Sequence, residues 1–515
     1  MHVEGVDEVT GRPSSRATTA SPDSSTVGAG RATAVLAGLT LLALVLRFYR
    51  LGAWSLESDE VFMLRDSVAL KLTNPRPLMY LLNHYVVAPV LALDEFGLRL
   101  LPAVFGVLSV PVFYLLARRL VGPRAGLIGA FFIATSPLFV YYSQFARYWT
   151  LVFMLCAVFP FALYLGIRDA NRRMLALGAV TGGLALVAHP VSVLLLAGIA
   201  AWVILTYGRR EVLAQLWQRR LVRFGLLATV VVVLLVVIRL VPVLQGWIAA
   251  HDVVPESEKG GEFLLRTPSG PGVKQISLLL AYVQNLTPPL VLAAVLGIYM
   301  LWETRTRSLA LFLVCLWTIP TALILLIQLR TAVSPFYLIP PIPVVFLGAG
   351  VFLDRLIDPG SGLRPRWLLS AAVGVMIFLS GAPTLASQYR DGKRWDFRGA
   401  SRWLDERLSA GDVVIADQPQ VVSFYLPRTD VRRLIAEPER LAQAARETRA
   451  RNAVLWLVSP APSHAFRTNP RIGSLNQWIY THCQLRNTIG VGRLDFRQNF
   501  LQIYRCPPVA AADQD

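Results

Sequence analysis

The feature that most constrains this chain is its succession of long apolar segments. A helix that crosses a bilayer needs roughly 20 consecutive, mostly apolar residues. Hydrophobic residues make up 55% of the 515 residues and charged residues 16%, a composition too apolar for a soluble protein. Eleven segments are candidate spans: 33–51, 100–117, 125–142, 150–167, 174–189, 190–207, 224–244, 288–302, 309–329, 334–353 and 367–386. The sequence therefore predicts a polytopic α-helical membrane protein with about eleven transmembrane helices.

The loops between these segments differ in their content of Lys and Arg. One alternate set holds 16 basic residues in 49, whereas the other holds 11 in 112. Cytoplasmic loops are the ones that carry the excess of Lys and Arg. We therefore expect a multi-pass protein of the plasma (inner) membrane, with its N-terminus in the cytoplasm and its C-terminus outside.

The formal net charge of +18 is compatible with binding to nucleic acid or to anionic lipid. Arginines that anchor cytoplasmic loops, such as Arg209, Arg210, Arg219 and Arg220, account for most of this charge. The lipid bilayer is therefore an expected partner, and nucleic acid is not.

The chain divides into three parts. Residues 1–31 are rich in Ser, Thr, Ala and Gly and are predicted to be a disordered cytoplasmic tail. Residues 32–387 contain the spans and two long outer loops, 52–99 and 245–287. The second loop is either a lid that orders on substrate binding or a tolerated insertion. Residues 388–515 are predicted to be an extracytoplasmic α/β domain.

Patterns typical of helices and of buried strands alternate in this last part. Residues 397–409 and 437–450 have helical spacing, whereas residues 413–416 and 453–458 are typical of buried strands. Such alternation predicts βαβ pairing, in which the two strands are parallel.

Four cysteines are too few for a disulfide scaffold. Cys156 and Cys315 fall within predicted spans, where a thiol usually serves packing. Cys483 and Cys506 fall in the outer domain. An oxidising compartment would allow a disulfide between them, but their spacing does not establish that they meet.

The adjacent acidic pair Asp59 and Glu60, just outside the first span, is the sharpest chemical feature. Neighbouring residues on a helix face different directions, so one can point into a site while the other is held by the scaffold. Unpaired carboxylates are costly beside a membrane, which favours a functional role. The alternative is a solvated pair in a loop.

Two arginines on the same side of the membrane stand out. Arg76 lies in the segment 74–78, where Pro75 and Pro77 fix the backbone, and its guanidinium is suited to binding phosphate. The alternative is an interfacial arginine that reaches towards lipid headgroups. Arg147 stands among aromatic residues in an otherwise uncharged short loop, and an aromatic belt accounts for the tyrosines but not for Arg147.

Other motifs limit the chemistry. His189 lies between two spans, where a lone histidine is more often packed than a ligand. No His or Cys spacing is typical of a metal site, so no metal is predicted. Phosphate-binding loops of the G-x-x-x-x-G-K-[ST] type and nucleophile elbows of the G-x-S-x-G type are also missing from the sequence, and no cofactor is predicted.

Taken in chain order, these residues resemble motifs of the GT-C superfamily, in particular the bacterial relatives of protein O-mannosyltransferases and the aminoarabinose transferases that modify lipid A. Asp59 and Glu60 match the acidic motif of the first outer loop. The further segments that resemble this group are 74–81, 99–102, 122–136, 143–148, 337–340 and 395–400. The resemblance covers nearly the whole chain in order.

The resemblance implies a GT-C fold and the transfer, with inversion, of a sugar from a polyprenyl-phosphate carrier. The acceptor would be a protein, lipid or glycan on the outer face, and neither a nucleotide sugar nor a cofactor would be needed. It implies that the catalytic pair is Asp59 and Glu60, with Asp59 as general base, and that Arg76 and Arg147 bind the carrier phosphate. Further candidates for the cavity are Tyr148, His189 and Tyr337.

The chain also departs from this group at two positions. Phe145 stands where relatives often have an acidic residue, and Phe336 where they often have an arginine. Arg330 is the candidate replacement for that arginine as a phosphate ligand.

Two other classes of protein remain as alternatives. A transporter or lipid-linked sugar flippase should have inverted repeats and charged residues at mid-span, whereas here, Arg239 excepted, the candidates cluster at one membrane face. In a non-catalytic scaffold, Asp59 would be freely replaceable.

Overall fold

The structure is a computed structural model, which describes residues 23–70, 74–208, 273–303, 306–329, 333–357, 366–392, 394–435, 437–460, 470–490 and 500–507. Within these ranges the chain is mostly helical up to residue 392 and mixed α/β beyond it. The predicted span 224–244, Arg239, Arg330 and most of the predicted loop 245–287 lie outside the described residues.

Nine helices lie in the described part of the N-terminal half. They are α1 (Asp23–Phe48), α2 (Ser58–Val68), α3 (Pro77–Leu82), α4 (Glu95–Val121), α5 (Pro123–Thr135), α6 (Pro137–Ser143), α7 (Trp149–Arg168), α8 (Arg172–Ala188) and α9 (Leu194–Tyr207) within the described part of this half. A π-helical turn, Asn83–Val87, follows α3, and a 3₁₀ turn, Pro190–Val193, precedes α9.

Five helices follow in the second part of the membrane region: α10 (Val273–Leu286), α11 (Pro288–Glu303), α12 (Arg307–Ile327), α13 (Ile342–Ile357) and α14 (Arg366–Asp391), again counting described residues only. A 3₁₀ turn, Pro335–Leu338, precedes α13.

Among the described residues, six helices are long and apolar enough to cross a membrane, or up to eight if each of two bent pairs is one span. The bent pairs are α5 with α6, at 57°, and α10 with α11, at 91°. Prolines at positions 137 and 288 begin the second helix of each pair, as expected of a residue that cannot continue a helix but suits its first turn. The chain is a multi-pass helical membrane protein.

Close helix packing builds the membrane core. A Cβ added at Gly297 of α11 would lie 1.9 Å from the carbonyl oxygen of Gly348 on α13, so the two backbones meet at these glycines. The ring of Phe139 packs between those of Phe153 and Phe346, with centroids 4.0 Å and 5.6 Å away.

The structure differs from the sequence-based expectation in two segments. Helix α1 begins at Asp23, inside the segment 1–31 that was predicted to be a disordered tail. The predicted loop 245–287 contains helix α10 at its end, where Leu278, Tyr282 and Leu286 recur at helical spacing and are buried. Because the chain bends by 91° after α10, this helix and α11 do not form one straight span, and a search for continuous apolar segments does not find α10.

The C-terminal unit contains α15 (Phe397–Asp405), β1 (Val413–Ala416), α16 (Pro419–Tyr425), β2 (Asp430–Arg433), α17 (Pro438–Ala450), β3 (Leu455–Pro460), α18 (Pro470–His482), β4 (Gln484–Ile489) and β5 (Leu501–Cys506). The strand order is β2-β1-β3-β5-β4. Strand β1 is parallel to β2 and β3, in agreement with the predicted βαβ pairing, whereas β5 is antiparallel to β3 and β4. A disulfide joins Cys483 to Cys506.

The C-terminal unit docks on the first long loop. Tyr425 donates a hydrogen bond to Glu95 at 2.8 Å and accepts one from the backbone N–H of Leu56, also at 2.8 Å. Arg398 forms an ion pair with Glu95 at 3.2 Å. The loop that carries Asp59 and Glu60 is therefore fixed between the membrane helices and the α/β unit.

Candidate active site

Helix α2 begins directly before the acidic pair. Glu57 is its N-cap residue, and its backbone N–H donates to the side chain of Glu60 at 3.0 Å, which closes a capping box. Asp59 and Glu60 thus occupy the first turn, where the helix dipole favours negative charge. Because successive helical residues point in different directions, the two carboxylates separate into two environments.

Glu60 is completely buried and fully hydrogen-bonded. Its Oε1 accepts from Arg99 Nε at 2.8 Å and from the backbone N–H of Ala146 at 2.7 Å, and its Oε2 accepts from Arg99 Nη2 and Arg394 Nη1, each at 2.8 Å. Burial alone would raise the pKa of Glu60, but the charges of Arg99 and Arg394 outweigh it and lower the pKa to about 2. Glu60 is therefore an anion that holds the site together, inaccessible to a substrate in this conformation.

Asp59 points the other way, into a more open space. Its side chain is 43% exposed, and its Oδ1 accepts from Arg147 Nη2 at 2.6 Å. Oδ2 has no hydrogen-bond partner among the described residues. Asp59 therefore offers one carboxylate oxygen to a ligand while the other is held by Arg147.

Two guanidinium groups converge on the ring of Tyr148. Those of Arg76 and Arg147 each lie 5.5 Å from its centroid, and Arg76 also donates to the Tyr148 hydroxyl. Arg76 is fixed at the N-cap of α3, where its backbone N–H donates to Asn74 at 3.1 Å. Asp59, Arg76, Arg147 and Tyr148, all of which the sequence singled out, therefore form one cluster.

His189 lies beside the same tyrosine, with its ring centroid 4.9 Å from that of Tyr148 and 4.9 Å from that of Trp149. Its Nδ1 accepts a hydrogen bond from the backbone N–H of Val191 at 3.0 Å, so Nδ1 carries no proton. The neutral imidazole therefore has its proton on Nε2, which is buried and has no partner within the described part of the chain.

Arg147 carries another unpaired donor. Its Nε is also buried without a hydrogen-bond acceptor among the described residues. Buried donors are nearly always satisfied in folded proteins, so each exception needs an explanation. The guanidinium groups of Arg76 and Arg147 and the unpaired Nε2–H of His189 surround one aromatic ring, an arrangement suited to binding an anion.

Further aromatic residues pack next to the cluster or near it. The centroid of Tyr337 is 5.6 Å from that of His189, and Phe336 packs against Trp149 with centroids 4.8 Å apart. Phe145 stacks on Tyr141 with an interplanar angle of 20°. The two positions where the chain departs from the GT-C motifs are thus occupied by packed aromatic rings.

Sequence reasoning did not identify the two arginines that hold Glu60. Arg99 was noted only as part of a motif, and Arg394 immediately precedes the segment 395–400. Their side chains are at most 1% exposed, and a buried arginine requires a carboxylate partner. That requirement is the signal that could have linked them to Glu60. In the described ranges no group of three His, Cys, Asp or Glu side chains is arranged to hold a metal ion.

Comparison with known proteins supports a membrane glycosyltransferase class. Residues 76–240, about a third of the chain, match the family described as dolichyl-phosphate-mannose-protein mannosyltransferase. Among curated protein sequences, none matches the chain significantly.

Solved structures share the fold over most of the chain. ArnT from Cupriavidus metallidurans in the apo state is 15% identical, with a TM-score of 0.53 over 92% of this chain and 98% of that chain. The same protein bound to undecaprenyl phosphate has a TM-score of 0.51 at 14% identity, over 94% and 99% of the two chains. The archaeal oligosaccharyltransferase AglB from Archaeoglobus fulgidus, in complex with an inhibitory peptide and a dolichol-phosphate, has a TM-score of 0.54 at 13% identity, over 92% and 74%.

Together, the family match over residues 76–240 and the shared fold support a resemblance to the GT-C superfamily of membrane glycosyltransferases. The matched segment is similar to the dolichyl-phosphate-mannose-protein mannosyltransferases, which bears out the predicted resemblance to this group.

Proposed function

We propose that this protein is a lipid-linked sugar glycosyltransferase that moves a sugar from a polyprenyl-phosphate carrier to an acceptor protein, lipid or glycan on the outer face of the membrane. Asp59 is the general base, and Arg76, Arg147 and His189 bind the carrier phosphate. The N-terminus is cytoplasmic and the α/β unit is extracytoplasmic. The observation that carries the proposal is that Arg147 contacts both the partly exposed carboxylate of Asp59 and the aromatic ring on which Arg76 also converges.

The reaction is a single displacement at C1 of the sugar. The acceptor hydroxyl or amine gives its proton to Oδ2 of Asp59 as its oxygen or nitrogen forms the new bond to C1. The bond from C1 to the phosphate oxygen breaks, and its electron pair leaves with the polyprenyl phosphate. Attack from the face opposite the phosphate inverts the configuration at C1.

The leaving phosphate gains negative charge in this step, so groups that stabilise that charge lower the barrier. Arg76 and Arg147 supply fixed positive charge, and the Nε2–H of His189 supplies a neutral donor that is already desolvated. Undecaprenyl phosphate bound to ArnT and dolichol-phosphate bound to AglB are consistent with a carrier phosphate in proteins of this fold.

Arg147 links donor binding to the base. When a carrier phosphate binds, it competes with Asp59 for the Arg147 guanidinium, which becomes shared or released. Oδ1 of Asp59 is then no longer held by Arg147 alone, and both carboxylate oxygens become available to the acceptor.

Glu60 acts as a positioning residue. Its bonds to Arg99, Arg394 and the backbone of Ala146 tie α2 to α4, to the start of the C-terminal unit and to the loop that presents Arg147. The distance between Asp59 and Arg147 depends on this cluster, because Asp59 and Arg147 each adjoin one of its members in sequence.

The test is transfer by the purified protein in lipid vesicles, with labelled polyprenyl-phosphate sugars and a cell-envelope extract as the source of acceptors. We expect Asp59→Asn to lower the rate roughly 100- to 10,000-fold, the usual contribution of a general base. A matched control is Asp169→Asn, because Asp169 is similarly exposed, at 47%, and is paired with an arginine, Arg168, at the same distance of 2.6 Å, but lies beyond the far end of α7.

Equal loss in both variants, or equal activity of wild type and Asp59→Asn, contradicts the assignment of the base. If no donor gives a product, while the same vesicles move a labelled lipid-linked sugar across the bilayer, the protein is a flippase instead.

A further inference from the structure

A second cavity, separate from the Asp59 cluster, lies between the first loop and the start of the C-terminal unit. Its volume is about 340 Å³, within the range of small-molecule binding sites. Its wall contains one tryptophan from the first loop, Trp54, and five arginines: Arg50, Arg390, Arg394, Arg398 and Arg402. None of Asp59, Arg76, Arg147, Tyr148 and His189 contributes to it.

The cavity is lined by more arginines than carboxylates. Among the described residues that line it, Asp396 is the one acidic side chain, and its Oδ1 caps α15 by accepting from the backbone N–H of Gly399 at 2.8 Å. Arg394 and Arg398 have carboxylate partners outside the lining, Glu60 and Glu95.

Arg50 and Arg402 have no carboxylate partner within the described ranges. Arg50 donates to the backbone carbonyl of Tyr389 at 2.9 Å, and its guanidinium lies 4.3 Å from the ring centroid of Trp54. Both contacts hold the side chain in place and leave its charge uncompensated. The side chains of Arg50 and Arg402 are exposed, so an anion that enters the cavity can reach both guanidinium groups.

The position of the cavity indicates where such an anion comes from. Arg50 follows the apolar span Gly30–Phe48 by two residues, and Arg390 is the last residue of the span Trp367–Arg390. Two of the five arginines therefore lie where membrane helices end, at the level of lipid headgroups. Basic groups at this level attract anionic phospholipids.

We propose that this cavity binds the phosphate group of an anionic phospholipid headgroup. Arginine is suited to this role because its planar guanidinium donates two parallel hydrogen bonds to a phosphate. Arg394 lines the cavity and also donates to Glu60, so a lipid held here stabilises the junction that fixes the first loop. The site serves the membrane anchoring of the α/β unit.

The test uses the full chain in nanodiscs of phosphatidylcholine with and without phosphatidylglycerol. Retained phosphatidylglycerol is counted by native mass spectrometry, and the Tm is recorded in each lipid. We expect the double variant Arg50→Gln, Arg402→Gln to bind phosphatidylglycerol roughly thirtyfold more weakly than wild type, as expected for two arginines near a membrane surface. Phosphatidylglycerol should raise the Tm of wild type but not of this variant.

The matched control is Arg440→Gln, Arg446→Gln, which removes two exposed arginines from α17 on the C-terminal unit. The control should retain phosphatidylglycerol as wild type does, and all three proteins should have the same Tm in phosphatidylcholine alone. Equal binding by both double variants, or an equal loss in both, overturns the proposal. So does inorganic phosphate if it raises the Tm in phosphatidylcholine as much as phosphatidylglycerol does, because the site would then be one for a free anion.

Discussion

Arg394 donates a hydrogen bond of 2.8 Å to Glu60, a residue 334 positions earlier in the chain. This contact joins the segment that follows the last membrane helix to the first turn of α2, directly beside Asp59. Arg99 reaches the same carboxylate from α4. The site is therefore assembled around the buried carboxylate of Glu60, and the contacts of Glu60 fix the position of its exposed neighbour, Asp59.

Replacing Glu60 tests this arrangement. Glu60→Gln leaves Arg99 and Arg394 buried without their counter-ion, which should lower the free energy of unfolding by about 3–5 kcal/mol. Chemical denaturation of the purified protein in detergent measures the change.

The matched control is Glu406→Gln. Glu406 also pairs with an arginine at 2.8 Å, but both side chains are largely exposed, at 63% and 42%. An exposed ion pair contributes little, so this variant should unfold close to wild type. Similar losses in the free energy of unfolding of the two variants would show that burial does not increase the contribution of the Glu60 ion pairs to stability.

The same residue predicts how stability depends on pH. The folded pKa of Glu60 is about 2, below its ordinary value of 4.5. The folded state therefore binds fewer protons than the unfolded state, and the contribution of Glu60 to stability is complete above pH 4.5 and is lost as the pH falls towards 2. The shift corresponds to roughly 3 kcal/mol.

The measurement is the difference in Tm between wild type and Glu60→Gln at a series of pH values. This difference should be constant near neutral pH and shrink between about pH 4.5 and pH 2. A difference that stays constant down to the acid limit would contradict the low pKa of Glu60.

The limits of sequence reasoning are visible in these same residues. Long apolar runs are local features, so the spans around Glu95–Val121 and Trp149–Arg168 and the strand Val413–Ala416 were predictable. The separation of Asp59 and Glu60 into two environments was predictable as well, because neighbouring residues on a helix face different directions. The partners of Glu60 were not, since a contact across 334 residues leaves no periodic trace in one sequence.

The disulfide between Cys483 and Cys506 is another contact that the sequence alone does not reveal. The residues are 23 positions apart, and their meeting depends on β5 lying next to β4 in the sheet, with Gln484 opposite Arg505. A single sequence gives the strand pattern but not the order of strands in the sheet.

Replacing Arg76 or Arg147 should slow sugar transfer, whereas replacing an ordinary surface arginine should not. Arg76→Gln and Arg147→Gln each remove a charge that stabilises the leaving phosphate, and each should lower kcat roughly 100- to 1,000-fold. A fall in kcat that exceeds the rise in KM would indicate a role in the transition state rather than in binding alone. Transfer kinetics at varied donor concentration separate the two.

The control for these variants is Arg168→Gln. Arg168 pairs with Asp169 at 2.6 Å, the same distance as Arg147 to Asp59, but it lies at the far end of α7. It should keep wild-type kinetics. Losses of equal size at Arg168 and Arg147 would mean that the assay reports general damage to the protein.

His189 allows its two nitrogens to be tested separately. In His189→Asn the side-chain oxygen is short and near the backbone, so it can replace Nδ1 as the acceptor for the N–H of Val191, but no donor reaches the position of Nε2. In His189→Gln the amide nitrogen reaches further and can replace the Nε2–H donor. If Nε2–H binds the carrier phosphate, the glutamine variant should retain most of the activity.

The asparagine variant should then lose roughly 10- to 100-fold, the effect of one hydrogen bond to a charged group. A purely structural role for His189, as the residue that caps the turn Pro190–Val193, predicts the reverse order, with asparagine the better replacement. The measurement is the donor KM and kcat of both variants, together with their Tm. A ranking of asparagine above glutamine, with matching Tm values, would remove His189 from the phosphate site and leave the anion to Arg76 and Arg147.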